Sequence, residues 1–420
     1  MVKKVHYAWV IAGVTFLVLL ITAGVRATPG VLIVPLEAEF GWTPAAISGA
    51  IAVNIALFGL IGPFAASLME HWGLRRLVLC ALAVIICAVG LTTQMKSQGQ
   101  LVLFWGVLVG SGTGVTSLVL AAVITNRWFE VRRGLVLGTL SAANATGQLV
   151  FLPGLARLVE GFGWRSAALA VAGAAAVVFV IVLLFLRDRP EDLGLKPLGL
   201  MDSESRPARK RALGAIPALL WAVRSPAFWV LAGSFFICGA STNGLVGTHL
   251  IPACHDVGIP EVRAASLLAL MGLFDILGTT ASGWLTDRLP SYLLLFTYYV
   301  LRGASLLYLP YTLGHSSNHL YWFALFYGLD WVATVPPTVR LTADVFGREN
   351  AGVIYGWIAA FHQLGASSAA LSAGIVRTSL GSYDTAFWTA GMLCFLAGFA
   401  FLVAKPALRR PAMIAEMQMA

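Results

Sequence analysis

The sequence predicts an all-α membrane protein of 12 transmembrane helices in two six-helix, pseudo-symmetric halves. Three observations predict it. Of the 420 residues, 59% are hydrophobic and 11% are charged, whereas a soluble chain carries about 25% charged residues. Twelve apolar stretches are each long enough to cross a bilayer, for which about 20 residues suffice. The last six stretches repeat motifs of the first six at a nearly constant offset, which is the mark of an internal duplication.

The apolar stretches fall near 8–33, 45–69, 75–95, 100–125, 134–157 and 164–186, and again near 226–251, 263–286, 291–313, 319–342, 351–376 and 384–404. Residues 1–186 are therefore read as an N-terminal six-helix half and 225–404 as a C-terminal one. Between them, 187–224 contains Pro190, Pro197, Pro207 and the run Arg209-Lys210-Arg211. It reads as a cytoplasmic linker with a short surface helix, and 405–420 as a cytoplasmic tail. Lys3 and Lys4 precede the first apolar run without a small-residue cleavage site, so a retained first helix is expected rather than a signal peptide. With the N-terminus inside, Arg75, Arg76, Arg127, Arg132, Arg133, the linker cations, Arg288, Arg348 and Lys405 also face inward. Both termini are then cytoplasmic.

The net charge of +9 lies in short loops between spans rather than on one soluble face, which argues against a nucleic-acid partner. Cys80, Cys87, Cys238, Cys254 and Cys394 are scattered, mostly in apolar runs, without CxxC spacing. They read as small core residues, not as metal ligands or disulfides. No phosphate loop or nucleophile–base motif is present, so neither an enzyme nor a cofactor is expected, and the partners are the lipid bilayer and a small solute.

The repeat is visible in three places. Ala66-Ser-Leu68-Met-Glu70-His71 aligns with Gly283-Trp-Leu285-Thr-Asp287-Arg288, and Leu32-Ile-Val-Pro35 with His249-Leu-Ile-Pro252. Gly134, Gly138 and Gly147 align with Gly352, Gly356 and Gly365. Parallel six-helix repeats imply a two-fold axis along the membrane normal and a substrate site near midplane.

The 283–288 segment resembles the loop motif of the major facilitator superfamily, and 66–76 is a weaker copy with Glu70 in place of Asp. Segment 127–147, an aromatic pair and basic residues leading into a glycine-spaced helix, is similar to the signature of the monocarboxylate porter branch. Arg189-Pro-Glu-Asp-Leu-Gly resembles bacterial members near the oxalate/formate antiporters. The resemblance implies the major facilitator fold, a secondary transporter working by alternating access, a bacterial inner membrane and a monomer.

Ionisable residues inside spans are informative because each costs about 3 kcal/mol at a helix centre unless paired or hydrated. Arg26 in the first span precedes Pro29-Gly30, where a kink is expected. A guanidinium there suits a carboxylate, which it can hold through two parallel hydrogen bonds. The repeat maps Arg26 onto Asn243 and Asn144 onto His362. Gln148 lies one turn beyond Asn144 on the same face. These five residues are the candidate substrate contacts. Asp275 in the eighth span is the candidate proton carrier, since burial favours its neutral form, and the resembled family places an acid in that helix. Arg302 in the ninth span is its expected ion-pair partner. Asp330, mapped onto Thr113, is a second acid, near a helix break at Pro336-Pro337. Glu70, Arg75, Asp287 and Arg288 are expected to gate the inner side through ion pairs and helix ends.

The expected function is proton-coupled uptake of a small organic anion, a monocarboxylate such as lactate or pyruvate. Two alternatives remain open: uptake of a larger aromatic or vitamin-type metabolite such as riboflavin, and exchange of organic anions.

Overall fold

Backbone groups in hydrocarbon must hydrogen-bond within their own segment, and runs of Leu, Ile, Val and Ala make the helix the form in which they do so. The computed structural model of the chain, which describes residues 6–200, 214–314, 317–347 and 350–408, is accordingly helical almost throughout. The long helices are α1 (Tyr7–Phe40), α2 (Pro44–Trp72), α3 (Leu74–Thr92), α4 (Gln98–Trp128), α5 (Arg133–Phe162) and α6 (Trp164–Phe185). They continue with α7 (Pro226–Asp256), α8 (Glu261–Thr286), α9 (Ser291–Leu313), α10 in two pieces (Ser317–Asp330 and Val335–Phe346), α11 (Ala351–Leu380) and α12 (Asp384–Val403). Among the described residues, nine helices are long and apolar enough to cross a membrane.

The chain forms two compact units. Unit 1 is Met1–Ala208 with Gly247–Ala269, and unit 2 is Arg209–Val246 with Leu270–Ala420. The same helix pairs build both units, as a duplication requires. In unit 1, α5 lies directly on α1. A Cβ on Gly147 would come within 2.8 Å of the Leu20 carbonyl, and one on Gly24 within 2.7 Å of the Phe151 ring. In unit 2, α11 lies on α7 at still closer range: a Cβ on Gly239 would run into the His362 carbonyl, and one on Gly365 into the Phe236 carbonyl. Small residues permit this approach, and dispersion between the closely packed backbones holds it. The α2–α4 and α8–α10 pairs repeat the pattern, with Gly110 against Asn54 and Gly278 against Leu329. The sequence expected Gly134 and Gly138 to serve the same purpose. Gly138 has nothing within 4 Å, and the surroundings of Gly134 lie outside the described residues.

Two of the irregular stretches lie in α1 and α7. In α1 the helix is interrupted at Thr28, because Pro29 has no N–H to continue the ladder. In α7 residues Ala240–Val246 form a π-helical turn. Under the repeat these stretches correspond, and they contain Arg26 and Asn243.

The first part of the linker is tied to the helical body. The Asp188 carboxylate accepts from the backbone N–H of Arg75 at 2.7 Å and so caps the start of α3. The Arg75 guanidinium in turn donates to the Leu183 carbonyl. Further on, Leu198 N donates to the Trp128 carbonyl and Glu130 N to the Leu198 carbonyl, each at 2.9 Å. The linker thus braces the basic α4–α5 loop, where Arg132 takes a left-handed φ of 60°. At the other end of unit 1, Arg165 grips both Glu39 oxygens, at 2.8 and 2.6 Å, while Trp164 Nε1 donates to Glu39 Oε2 at 2.6 Å. The expected surface helix is also present, at Ala215–Ala222.

Three outcomes test these contacts. Gly365→Val should sharply lower the melting temperature in detergent, since overpacking costs about 1–3 kcal/mol or more. Gly356→Ala on the same helix has open space around it and should melt at or slightly above wild type. Asp188→Ala should cost about 0.5–2 kcal/mol through the lost cap, read as a fall in melting temperature.

Candidate functional site

A helix break inside an apolar bundle leaves carbonyls and amides without partners, and α10 breaks over 331–334, just ahead of the two prolines that the sequence singled out. Buried side chains from neighbouring helices take up the freed groups. Arg302 of α9 donates through one terminal nitrogen to the Asp330 carbonyl at 2.5 Å and the Trp331 carbonyl at 3.3 Å. Ser282 of α8 donates to the Ala333 carbonyl at 2.6 Å. Asp275 of α8 accepts from Val332 N at 2.9 Å and, through the same oxygen, from Thr279 at 2.8 Å. The prolines therefore create the polar site as well as interrupting the helix.

The ion pair at this site differs from the expected one. Arg302 does not bond to Asp275; its Nε donates to Asp330 Oδ2 at 2.7 Å. The reason is geometric: Asp330 ends the first piece of α10, so its carbonyl and its carboxylate are both presented to one guanidinium, whereas the α8 carboxylate is drawn to the amide of the break. Arg302 is 1% exposed, and Asp275 and Asp330 are each 6% exposed. Two carboxyl groups and one guanidinium thus share a buried interior. With both acids ionised it would carry an uncompensated negative charge, which costs several kcal/mol. A bound proton removes that charge.

Around this pair, Cys238 of α7 puts its sulfur 2.8 Å from the remaining Arg302 nitrogen and 3.4 Å from Thr334 Oγ1. The sequence reading had assigned Cys238 to apolar packing, and no spacing marks it otherwise. His362 of α11 lies nearby, its ring 4.9 Å from that of Phe235. Asn243, from the π-turn of α7, is half-buried in the same unit.

In unit 1 the interior charge is Arg26. Its guanidinium lies 4.2 Å above the Phe58 ring, and no acid pairs with it among the described residues. The side chains of Asn144, Gln148 and Glu70 lie outside the described residues.

The repeat shows what these groups replace. Carried along the chain, Ile85 stands in unit 1 where Arg302 stands in unit 2, Thr113 where Asp330 stands, and Phe58 where Asp275 stands. Ile85 is fully buried beside Gly112, and Thr113 bonds back to its own helix at the Val109 carbonyl, 2.9 Å away. One half of the molecule thus fills this position with hydrocarbon and a self-satisfied hydroxyl. The fold does not need an ion pair there, in keeping with the small net stability such pairs provide.

Of the expected gating residues, Arg75 is occupied by the linker contacts described above. Asp287 faces Arg340 of α10 at 3.8 Å across an exposed pair, and Arg340 also reaches Asp344 at 3.3 Å. Arg288 folds over its own Trp284 ring at 3.9 Å. Asp188 and Arg340 had not been assigned these roles from sequence. Both lie outside the repeated motif and reach it only in three dimensions.

Comparison with known proteins agrees with this architecture. The family model of the Major Facilitator Superfamily matches residues 15–370 and 256–415. Monocarboxylate transporter 13 of Rattus norvegicus is 25% identical over 406 residues, covering 95% of this chain and 89% of that one. The MFS-type transporter YcxA of Bacillus subtilis is 23% identical over 347 residues, 81% of each chain. A solved bacterial homologue of the human lysosomal transporter Spinster superposes with a TM-score of 0.72 at 16% identity, covering 97% of both chains. Twelve helices in duplicated sixes, glycine-mediated helix pairs and the family match lead to one conclusion: the chain is a membrane transporter, not an enzyme, and belongs to the major facilitator superfamily.

Proposed function

We propose that the protein takes up a small monocarboxylate such as lactate or pyruvate together with a proton. The observation that carries this reading is the charge imbalance inside each unit. Among the described residues, unit 1 holds a guanidinium, Arg26, without an acid, and unit 2 holds two acids, Asp275 and Asp330, for one guanidinium, Arg302. A carboxylate substrate supplies the negative charge that the first lacks, and a proton the positive charge that the second lacks. The replacement of the ion pair by Ile85 and Thr113 in the other half supports a working role for these charges, as does similarity to proteins named monocarboxylate transporters.

In this reading Arg26 binds the carboxylate through parallel N–H bonds, with Asn144, Gln148, Asn243 and His362 as further polar contacts. Asp275 carries the proton: its partners are a hydroxyl and an amide, whereas Asp330 is held by the guanidinium itself. The excess of Lys and Arg in alternate loops supports cytoplasmic termini in a bacterial inner membrane.

Reconstituted proteoliposomes test each part. An inward proton gradient should drive accumulation of labelled lactate or pyruvate above equilibrium, with uptake rising as the external pH falls. Counterflow that ignores the gradient would reject symport in favour of exchange. Arg26→Ala should lower uptake about 10–100-fold, the loss of one charge-assisted contact, and Arg26→Lys should raise KM while retaining part of the rate. Asp275→Asn should abolish gradient-driven accumulation and leave counterflow intact. Asp275→Asn that still accumulates substrate would move the proton to another group.

A further inference from the structure

Arg302 can only donate hydrogen bonds, through five N–H groups that keep their protons. Nε and one terminal nitrogen are used on Asp330 and on the carbonyls of the α10 break. The other terminal nitrogen points at the Cys238 sulfur, 2.8 Å away. Sulfur is therefore the acceptor, in a position where a neutral thiol accepts weakly and a thiolate accepts strongly. Asp330 meets the same guanidinium through Oδ2, and its other oxygen, Oδ1, is buried and has no hydrogen-bond partner among the described residues. One cation is thus flanked by a carboxylate with an open oxygen and by the sulfur of a buried cysteine, 2% exposed.

We propose that Cys238 is the second acidic partner of Arg302 and that a proton exchanges between its sulfur and Asp330 Oδ1. The S–H bond breaks as the O–H bond forms on Oδ1, and the reverse step restores both. The cluster's total charge does not change, and the guanidinium faces one anion in either state. A protonated Asp330 then does not strand a buried cation, because the thiolate takes its place. Thr334, 3.4 Å from the sulfur, is placed to donate to that thiolate, and the His362 ring is a titratable group close to it. The other titratable groups around the sulfur are the phenols of Tyr299 on α9 and of Tyr327 and Tyr355 on α10 and α11, and the thiol of Cys394 on α12. Asp275 on α8 faces Arg302 and Asp330. The two tyrosines nearest the guanidinium donate elsewhere, Tyr299 to the Ser234 carbonyl and Tyr327 to the Ser241 carbonyl. They leave the sulfur as the acceptor for that arm of Arg302.

The proposal rests on the proton-coupled reading above, but its test reads bonds rather than transport. Infrared spectra are recorded on full-length protein in liposomes with Cys80, Cys87, Cys254 and Cys394 replaced by Ala, and the Cys238 S–H stretch is identified by its loss in Cys238→Ser. Asp330→Asn keeps the shape of the side chain but cannot carry the charge, so the sulfur must. The expected result is an S–H band in the parent that loses more than half of its area in Asp330→Asn; its absence from the parent overturns the exchange. An S–H band of full area in Asp330→Asn overturns the proposal, with Asp275 then neutralising Arg302. If Asp330→Asn does not yield monodisperse protein, the parent decides. A parent S–H band that is present but smaller than that of the same protein unfolded in acid supports the exchange, and a band of equal area overturns it. Lactate uptake that proves insensitive to a proton gradient would reject the transport reading and leave this result standing.

Discussion

A peptide group released from its helix inside an apolar bundle has to find a partner, and the interior of the C-terminal half is organised by that need. Pro336 and Pro337 make the break in α10. Its carbonyls recruit Arg302 and Ser282, and its amide recruits Asp275. Once a guanidinium is enclosed for that purpose, an anion must accompany it, and Asp330 at the end of the broken piece supplies one. Backbone satisfaction thus comes first, and the ionisable chemistry follows from it.

The duplicated architecture makes this legible as a difference between halves. Both halves use the same helix pairs and the same close approaches at glycine. In one, Ile85, Thr113 and Phe58 fill the equivalent positions with apolar or self-bonded groups. In the other those positions hold a guanidinium and two carboxyl groups. A shared scaffold with unequal contents suits the proposed symport: among the described residues one half presents a cation without an acid, the other a guanidinium with two carboxyl groups.

The sequence carried the fold because composition, span length and repeat each pointed to it through independent physics. The reading also singled out Arg26, Asp275, Arg302 and Asp330, since a charge within a span is rare enough to stand out. The pairing within that set was not legible. Asp275 and Arg302 lie on adjacent helices, so they were expected to meet, but the carbonyl geometry of a broken helix directs the guanidinium to Asp330. Cys238 was invisible for a different reason: a cysteine in an apolar run is the commonest of bland features, and only its position beside Arg302 gives it meaning. The gating set was read from a motif, while its partners Asp188 and Arg340 are remote in sequence.

The cap on α3 has a consequence for how the molecule is made. The carboxylate that finishes the start of this helix belongs to a residue synthesised 113 positions later, after α6 has been completed. The start of α3 is therefore closed by the exit segment of the first six helices. If the chain is expressed as two fragments, the junction belongs between residues 200 and 214. A cut at the end of α6 would release a half whose third helix begins uncapped and whose basic loop has lost its brace.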